Sequence, residues 1–354
     1  MARNSVSPPL CLIMIFRLLA SSWFIFLSTV TMASPHPIPE SDQWLIVPGQ
    51  EGPGRGKHIV LIAAEQEYRA EQALPMLART LAKHHGFHCT VLFLMNEEGL
   101  VDPTMPSPFK EKDRKSLIPG MEHLAKADGL IWMSRFLQLP EEDLSHLYSY
   151  FDSGKPILAL RTANHGLWRD AEPYQVKGEK VSLEKLLGGK FMGHHGGWKR
   201  EATSGIIAPE VKEHPILRGV NDVWGTTDVY RCHKDGKVPE DCTLLLSGQP
   251  MKSLERDSPP NEKKEALPIA WTKTWVGNRG LPSPIFHFTM GSAKDFENEG
   301  VRRLTINALY WGLGLVDEID AKRSVEIVGD YKPLEDGFKY KEFGVIPRPV
   351  SDYR

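Results

Sequence analysis

The stretch HIVLIAA, residues 58–64, decides the fold class because it is a continuous apolar run of strand length. Such a run is typical of a strand that is buried on both faces of a parallel sheet. Three similar runs follow, HCTVLFL at 88–94, GLIWMS at 129–134 and PILAL at 156–160. Helical patterns separate them, at 73–86, 119–128 and 140–154. This alternation predicts right-handed βαβ units, and hence an α/β protein with a three-layer sandwich around a mostly parallel sheet.

The regular alternation stops after His165. Residues 166–230 are rich in Gly, His and Trp, and we expect them to form a long excursion at the carboxyl edge of the sheet. The later predicted elements are strands at 243–248, 267–275 and 284–290 and a helix at 297–314. The chain then loses its periodicity, which predicts an α/β domain over 57–318 and a tail, residues 319–354, that wraps its surface.

Residues 1–33 contain no acidic residue and include the apolar run LLASSWFIFLSTV. A basic start, a short apolar run and small residues at its end are typical of a secretory signal peptide. A retained anchor is the alternative, although the run is short for a transmembrane span. We therefore expect export to the periplasm or the extracellular space, with no stable membrane span after cleavage, whether translation starts at Met1 or Met14. Residues 34–56 are rich in Pro and Gly and predict a linker.

The composition is that of a globular protein, and its charge argues against nucleic acid as a partner. The chain has 354 residues, is 41% hydrophobic and carries a formal net charge of −2. Three cysteines remain after the leader, too few for a disulfide framework. We expect Cys89 to be a buried thiol, whereas Cys232 and Cys242 either form one disulfide bond or stay free. The sequence indicates no oligomeric state.

The carboxyl ends of the predicted strands define the candidate site, because ligands of open α/β sheets bind there. The candidate catalytic residues are Glu65 after the first strand, Arg161 after the fourth and His195 in the excursion. The candidate substrate-binding residues are Tyr68, Arg69, Arg135, Asn164, His165, Trp224 and Asp228. Charged, amide and imidazole groups can hydrogen bond the hydroxyls of a small carbohydrate, and tryptophan offers an aromatic face.

Structural interpretations of these residues stay open beside the functional ones. Glu65 is the expected partner of Arg161 in a buried ion pair that would fix the two strand ends. In this interpretation His165 caps the helix that follows it or hydrogen bonds a backbone carbonyl. His194 and His195 form an exposed loop pair in this interpretation, and adjacent side chains point apart in an extended chain.

The sequence lacks the residues that several reactions of α/β enzymes require. An amidotransferase needs a thiolate on a strained turn, and no cysteine of the mature chain follows a strand in that way. The nicotinamide-binding G-x-G-x-x-G is absent after the first strand, and no zinc-binding motif is present. We therefore predict no cofactor, with a divalent metal held by His195, Asp228 and Glu65 as the alternative.

Six segments resemble, in order and spacing, those of ThuA-like proteins, the trehalose-utilisation family. They lie between about residues 57 and 315 and read HIVLIAAEQEYR, LLGGKFMGHH, HPILRGV, TDVY, PIAWTKTW and FHFTMGSAKDFENEGVRRLTINALYWGLG. The resemblance implies a fold similar to class I glutamine amidotransferases and flavodoxin-like domains. It also implies a role in carbohydrate metabolism, often in exported proteins, with keto-sugar-processing enzymes among the members.

Two positions depart from the family pattern, since Arg161 and Ser292 stand where relatives often have histidines. Two hypotheses follow. The first is an exported isomerase or hydrolase of a sugar or keto-sugar that works by proton transfer. In it Glu65 or His195 is the base and Arg161 stabilises the enolate-like oxygen. The second is a non-catalytic carbohydrate-binding or scaffold protein of the cell envelope.

Overall fold

A computed structural model gives the fold and describes residues 1–2, 36–111, 113–168 and 171–354. The chain divides into two compact units, Met1–Ala33 and Ser34–Arg354. The predicted signal peptide, residues 1–33, lies outside the described residues except for the first two. The second unit holds the sheet and the candidate site.

Within the described residues, one sheet of ten strands runs through the second unit. Its strands are β1 Trp44–Val47, β2 His58–Ala64, β3 His88–Phe93, β4 Gly129–Ser134, β5 Ile157–Leu160, β8 Thr203–Ile207, β9 Trp224–Gly225, β10 Cys242–Pro250, β11 Leu267–Val276 and β12 Pro282–Phe288. A separate hairpin pairs β6 Gln175–Val176 with β7 Glu179–Lys180. The α-helices are α1 Ala70–His85, α2 Glu141–Phe151, α3 Leu183–Leu187 and α4 Glu299–Gly312. None of the helices that the structure describes combines the length and the apolarity needed to cross a membrane.

Five neighbouring strands form the parallel core of the sheet, in the order β3, β2, β4, β5 and β12. Alternate residues of a strand face opposite layers. Ile59 and Leu61 of β2 pack with the layer of α1 and α4, whereas Val60 and Ile62 pack with the layer of α2. Helices therefore cover both faces, and the predicted α/β three-layer sandwich is confirmed.

The sheet continues beyond β12 with antiparallel strands, in the order β11, β10, β8 and β9. At the opposite edge β1 is antiparallel to β3. The sheet is therefore mixed, with its parallel part at the centre. Apolar runs predict the later strands, but they carry no signal for pairing direction, which depends on distant partners.

The segment 34–56, predicted as a linker, contains the edge strand β1. Trp44–Val47 pairs with residues 89–92 of β3, and Ile38 and Leu45 are buried. This corrects the linker prediction. Most Pro and Gly residues of the segment flank the strand, which is why its composition alone favours a linker.

The tail, residues 319–354, is attached to the α/β unit through its backbone carbonyls. Arg302 Nε donates to Val325 O at 2.7 Å, and Arg79 Nη1 donates to Tyr353 O at 2.8 Å. Arg69 Nε donates to Glu335 O at 3.0 Å. Because Arg69 follows β2, this contact brings the tail to the carboxyl edge of the parallel strands.

Candidate functional site

Three turns at the carboxyl edge share an unusual backbone conformation. They follow β2, β4 and β5, which are neighbours in the sheet. They hold Arg69, Phe136 and Arg161 at φ of 59°, 48° and 45°. Residues other than glycine rarely adopt positive φ, and such strain collects at functional sites because the surroundings must compensate for it. The strand ends that define the candidate site are therefore also strained.

Arg161 is the fully buried centre of this edge. Its Nη2 donates to Asp228 Oδ1 and to the hydroxyl of Tyr68, both at 2.9 Å. Its Nη1 donates to the backbone carbonyls of Asp228 and Thr289, both at 2.8 Å. A guanidinium is tolerated in the interior only where such partners compensate for its lost hydration. Arg161 therefore links the turn after β5 to three distant segments, those that contain Tyr68, Asp228 and Thr289.

Two tyrosine rings enclose the Arg161 guanidinium. Its central carbon lies 4.3 Å from the ring centroid of Tyr68 and 3.7 Å from that of Tyr230. The two tyrosine hydroxyls are 3.2 Å apart. Arginine stacks well on aromatic faces, and a desolvated contact of this kind contributes about 2 kcal/mol. The rings and the ion pair together hold the strained turn.

Asp228, rather than Glu65, is the ion-pair partner of Arg161, so the predicted Glu65–Arg161 pair is wrong. The two carboxylate oxygens of buried Glu65 accept hydrogen bonds from the N–H groups of Glu67, at 2.8 Å, and Tyr68, at 2.5 Å. Burial, together with the charge of Glu67, raises the pKa of Glu65 to about 8. Glu65 closes the turn after β2, and this leaves it poorly suited to act as a base.

His194 and Asp228 form a hydrogen-bonded pair beside the buried cluster. Asp228 Oδ2 lies 2.8 Å from His194 Nδ1, while Oδ1 accepts from Arg161. Only 1% of the Asp228 side chain is exposed, compared with 37% for His194. A carboxylate on Nδ1 fixes the tautomer that leaves Nε2 as an acceptor. The pair is therefore anchored in the core at one end and open to solvent at the other.

His195 points away from Asp228, which corrects its predicted position in the site. Its Nε2 lies 2.9 Å from the backbone carbonyl of Glu265. The alternation of side chains along an extended chain explains why His194, and not its neighbour, meets Asp228. The alternative metal site of His195, Asp228 and Glu65 is therefore not assembled. Within the described ranges, no group of three or more His, Cys, Asp and Glu side chains could hold a metal ion.

A rim of charged and aromatic side chains surrounds His194. Trp198 Nε1 donates to Glu67 Oε1 at 2.7 Å, and Glu67 Oε2 lies 3.5 Å from Arg135 Nε. The Trp198 ring lies 6.3 Å from the ring of His194 and 6.4 Å from that of Phe338. Trp198 and Phe338 are 37% and 44% exposed. Two accessible aromatic rings therefore lie beside a carboxylate, a guanidinium and an imidazole.

The C-terminal tail supplies part of this rim. The N–H of Gly337 donates to the backbone carbonyl of Glu67, and Arg69 Nη2 donates to the carbonyl of Gly337. Arg69 is fully buried. Although predicted to bind substrate, it is thus used to hold the tail, and this attachment places Phe338 beside Trp198.

Asn164 and His165 border the cluster, whereas Trp224 lies elsewhere. His165 Nδ1 is 2.7 Å from Asn164 Oδ1, and Asn164 Nδ2 donates to Cys232 Sγ at 3.4 Å. Trp224 is on β9, at the antiparallel edge of the sheet, where Arg256 stacks over its ring at 5.1 Å. Of the predicted residues, the structure gathers Tyr68, Arg135, Arg161 and Asp228 around one centre.

The cysteines that the structure describes are free, so Cys232 and Cys242 do not form a disulfide bond. Burial raises the pKa of Cys89 far above its ordinary value and raises the pKa values of Cys232 and Cys242 to about 12. The thiolate is the reactive form of cysteine, so a nucleophilic role is disfavoured at all three.

The family model for trehalose utilisation, ThuA, matches residues 59–312. The chain belongs to the ThuA family. The match runs from β2 to α4, so it includes Arg161, Asp228 and His194 but leaves out the ThuA protein's tail with Phe338. None of the curated proteins matches this ThuA protein.

Solved structures similar to this ThuA protein include two ThuA-like proteins. One, from Bacteroides uniformis, is 17% identical with a TM-score of 0.46, over 75% of this chain and 94% of that chain. Another, from Parabacteroides merdae, is 12% identical with a TM-score of 0.45, over 84% of this chain and 99% of that chain. An exo-β-1,4-mannosidase from Opitutaceae bacterium strain TAV5 is 11% identical with a TM-score of 0.33, over 72% of this chain and 35% of that chain.

The two departures from the ThuA pattern are both buried. Arg161 carries the ion pair, and Ser292 Oγ accepts a hydrogen bond from the N–H of Asp295 at 3.1 Å. Neither position therefore offers an imidazole in this ThuA protein. His194, on the excursion, supplies one to the same edge of the sheet.

Five members of the site are absent from the predicted catalytic and substrate-binding residues: Glu67, His194, Trp198, Tyr230 and Phe338. Glu67 and His194 lie within two positions of predicted residues, so side-chain alternation is the signal that separates them. Trp198 and Tyr230 lie in the excursion predicted for this edge. Phe338 has no such signal, because the tail lacks a periodic pattern.

Proposed function

We propose that this ThuA protein is an enzyme that binds a small carbohydrate at the carboxyl edge of its sheet and moves a proton next to a carbonyl group. A keto-sugar is the substrate class that this chemistry needs. The observation that carries the proposal is the 2.8 Å contact between His194 Nδ1 and the buried carboxylate of Asp228. Membership of a family described as trehalose utilisation supports a carbohydrate-related role.

His194 is the base in this proposal. Its Nδ1–H is donated to Asp228, so the lone pair of Nε2 can take a proton from the carbon beside the carbonyl. The electrons of that C–H bond move to the carbonyl oxygen and form an enolate. The imidazolium is stabilised by Asp228, whose carboxylate is itself held by Arg161. Transfer of the neighbouring hydroxyl proton to the enolate oxygen, and return of the first proton to the former carbonyl carbon, complete an isomerisation that leaves the new carbonyl on the neighbouring carbon.

Arg135 is the proposed partner of the enolate oxygen. Arg161 is unsuited to this role, because its side chain is fully enclosed and both terminal nitrogens have protein partners. The Arg135 side chain is 19% exposed and lies at the rim, 3.5 Å from Glu67. A positioned cation of this kind stabilises negative charge as it develops in the transition state.

Trp198 and Phe338 form the proposed platform for the sugar ring. The apolar C–H face of a sugar packs on aromatic rings, and these two rings are both accessible. Glu67 and Arg135 lie beside the platform and can hydrogen bond hydroxyl groups. A few placed polar groups around an apolar surface are how small-molecule sites fix orientation.

We also propose that the protein is exported and acts in the periplasm or outside the cell. The support is the acid-free apolar leader of residues 1–33. Mass spectrometry of native material is expected to find a mature chain that begins near Ser34. An intact leader on the native protein would contradict export by cleavage.

The test of the enzymatic proposal is a keto-sugar screen in D₂O, with and without added divalent metal, read by NMR. The expected result is exchange of a hydrogen beside the carbonyl for deuterium. His194→Gln should slow this exchange by about 10²–10⁴-fold, the usual contribution of a positioned general base.

His195→Gln is the matched control, since this neighbouring imidazole bonds the carbonyl of Glu265 and not Asp228. Its exchange rate should equal that of the unmodified protein. Equal rates for both variants would place the base elsewhere. A sugar that binds without any exchange would favour the alternative, a non-catalytic carbohydrate-binding protein.

A further inference from the structure

A separate cavity of about 560 Å³ lies beside the turn that follows β5. It is bounded by α2, by residues 164–168 and 171–174, and by α3 with the chain that follows it. Small-molecule sites usually have volumes of about 300–1,000 Å³. The cavity therefore has the size of a ligand site, and none of the rim residues Glu67, Arg135, His194 and Trp198 is part of its lining.

The walls of the cavity are aromatic and apolar. Phe136, Tyr148, Phe151, Trp168, Tyr174 and Phe191 all line it. The hydroxyls of its two tyrosines are already bonded, Tyr148 to the carbonyl of Glu172 and Tyr174 to Asp152. Because both hydroxyls already have protein partners, the aromatic rings are the groups of these tyrosines that can contact a ligand. Such walls favour a flat ring, because aromatic pairs gain contact area and stacking energy.

Of the three charged residues among the described lining, two pair with each other. Lys190 Nζ lies 2.9 Å from Glu184 Oε2, and both residues line the wall. A ligand with a net charge would meet an already neutralised pair and would lose hydration on entry. The third, Glu172, adds a negative charge that would repel an anion. An uncharged ligand avoids both this repulsion and the loss of ionic hydration.

His165 places one hydrogen-bond acceptor in the wall. Burial lowers the pKa of His165 well below its ordinary value, so the imidazole is neutral. Asn164 Nδ2 donates to Cys232, which leaves Asn164 Oδ1 to accept the hydrogen on His165 Nδ1. The other nitrogen, Nε2, then carries a lone pair, and no described residue donates a hydrogen bond to it.

We propose that this cavity binds an uncharged aromatic compound that carries a hydroxyl group. The aromatic rings of the wall hold its ring, and its hydroxyl donates to His165 Nε2. The inference goes beyond the proposed carbohydrate function and does not depend on it, because the two sites have different linings.

The probe is 2-naphthol at neutral pH, compared with 2-methoxynaphthalene and with naphthalene-2-sulfonate by calorimetry. Binding of 2-naphthol to the full chain is the expected result. The methyl ether cannot donate, and it should bind about three- to tenfold more weakly, the value of one hydrogen bond. The anionic sulfonate should bind more weakly still. Intermolecular NOEs from the naphthol ring to the methyl groups of Leu183 and Leu186, which line the cavity, should locate it.

Leu183→Trp should fill the cavity and weaken 2-naphthol binding by more than tenfold. Leu281→Trp is the matched control, on an exposed leucine away from the cavity, and should bind as the unmodified protein does. Absence of naphthol binding, equal affinity for the methyl ether, or equal affinity in the two variants would each overturn the proposal. Should Leu183→Trp fail to fold, the NOEs in the unmodified protein decide: contacts to Leu183 and Leu186 support the site, and their absence overturns it.

Discussion

Two buried arginines at the same sheet edge have different structural roles. Arg69, in the turn after β2, and Arg161, in the turn after β5, are both fully buried, and both have positive φ. The hydrogen bonds of Arg69 go to backbone carbonyls, at Gln66, Glu335 and Gly337. Arg161 also meets a carboxylate, that of Asp228.

The difference shows that burial and strain by themselves do not identify a functional arginine. Arg69 attaches the tail, which places Phe338 at the rim. Arg161 fixes the orientation of Asp228, which in turn holds His194. What separates the two is whether the partner is a neutral carbonyl or an ionised group, because only the latter leaves a buried charge when the arginine is removed.

The largest expected effect comes from Arg161→Met. It leaves the buried Asp228 carboxylate without its cation, so the free energy of unfolding should fall by about 3–5 kcal/mol. Urea unfolding measures this. Asp228→Asn in the same chain removes the stranded charge and should restore part of the loss. A decrease below about 1 kcal/mol would mean that the ion pair does not hold this edge together.

Arg69→Met should have a smaller effect on unfolding, about 1–3 kcal/mol, since it strands carbonyls but no carboxylate hydrogen-bonded to it. The loss should be local. Hydrogen exchange is expected to speed up in residues 335–340 of the tail while the turn around Arg161 stays protected. A loss equal to that of Arg161→Met would erase the distinction between the two arginines.

A pH effect should appear at the tail that Arg69 holds. Burial, with the charge of Asp295, raises the pKa of Asp336 to about 8. The unfolded carboxyl has a pKa near 3.9, so the folded state binds more protons between these values. The stabilisation is complete below about pH 4 and is lost as pH rises through 8.

From pH 7 to pH 8 the free energy of unfolding should therefore fall by about 1 kcal/mol on account of this group. Asp336→Asn has no carboxyl to titrate and should show a flatter profile over the same interval. Urea unfolding at both pH values measures the difference. A profile that is the same in both proteins would show that Asp336 is ionised in the folded state.

Trp198→Phe should have the smallest effect on stability, below about 1 kcal/mol, because the lost hydrogen bond to Glu67 lies at a partly exposed position. Trp224→Phe, at the antiparallel edge, is the control for loss of an indole. Sugar affinity should fall in the first variant only. A stability loss above about 2 kcal/mol would mean that Trp198 belongs to the core and not to a ligand platform.

Most of the parallel core could be predicted from the sequence. The runs at 58–64 and 129–134 coincide with β2 and β4, because a strand buried on both faces has a local signature. The helix predicted at 119–128 is present in another form, since Met121–Lys126 is a 3₁₀ helix and not an α-helix. The antiparallel half required its partners, which local pattern does not specify.

The edge of the sheet that holds the candidate site could be predicted from the sequence, but the contacts between its residues could not. The strand ends indicate that Arg161 and Glu65 lie at one edge, yet the carboxylate that pairs with Arg161 is that of Asp228, which the excursion supplies. The choice of His194 over His195 depends on the direction of one extended segment. A shift of one residue in such a segment reverses every side chain.

The sequence by itself determined the α/β class, the parallel core and the edge at which polar groups collect. These follow from continuous apolar runs of strand length, from the helical period of 3.6 residues and from the polar residues at the strand ends, all of which a short window contains. Only the tertiary structure decided that Asp228 meets Arg161 and His194, and that Phe338 reaches Trp198. Those contacts join segments far apart in the chain, and they depend on the closure of long loops and on the compensation of buried charge, neither of which leaves a local pattern.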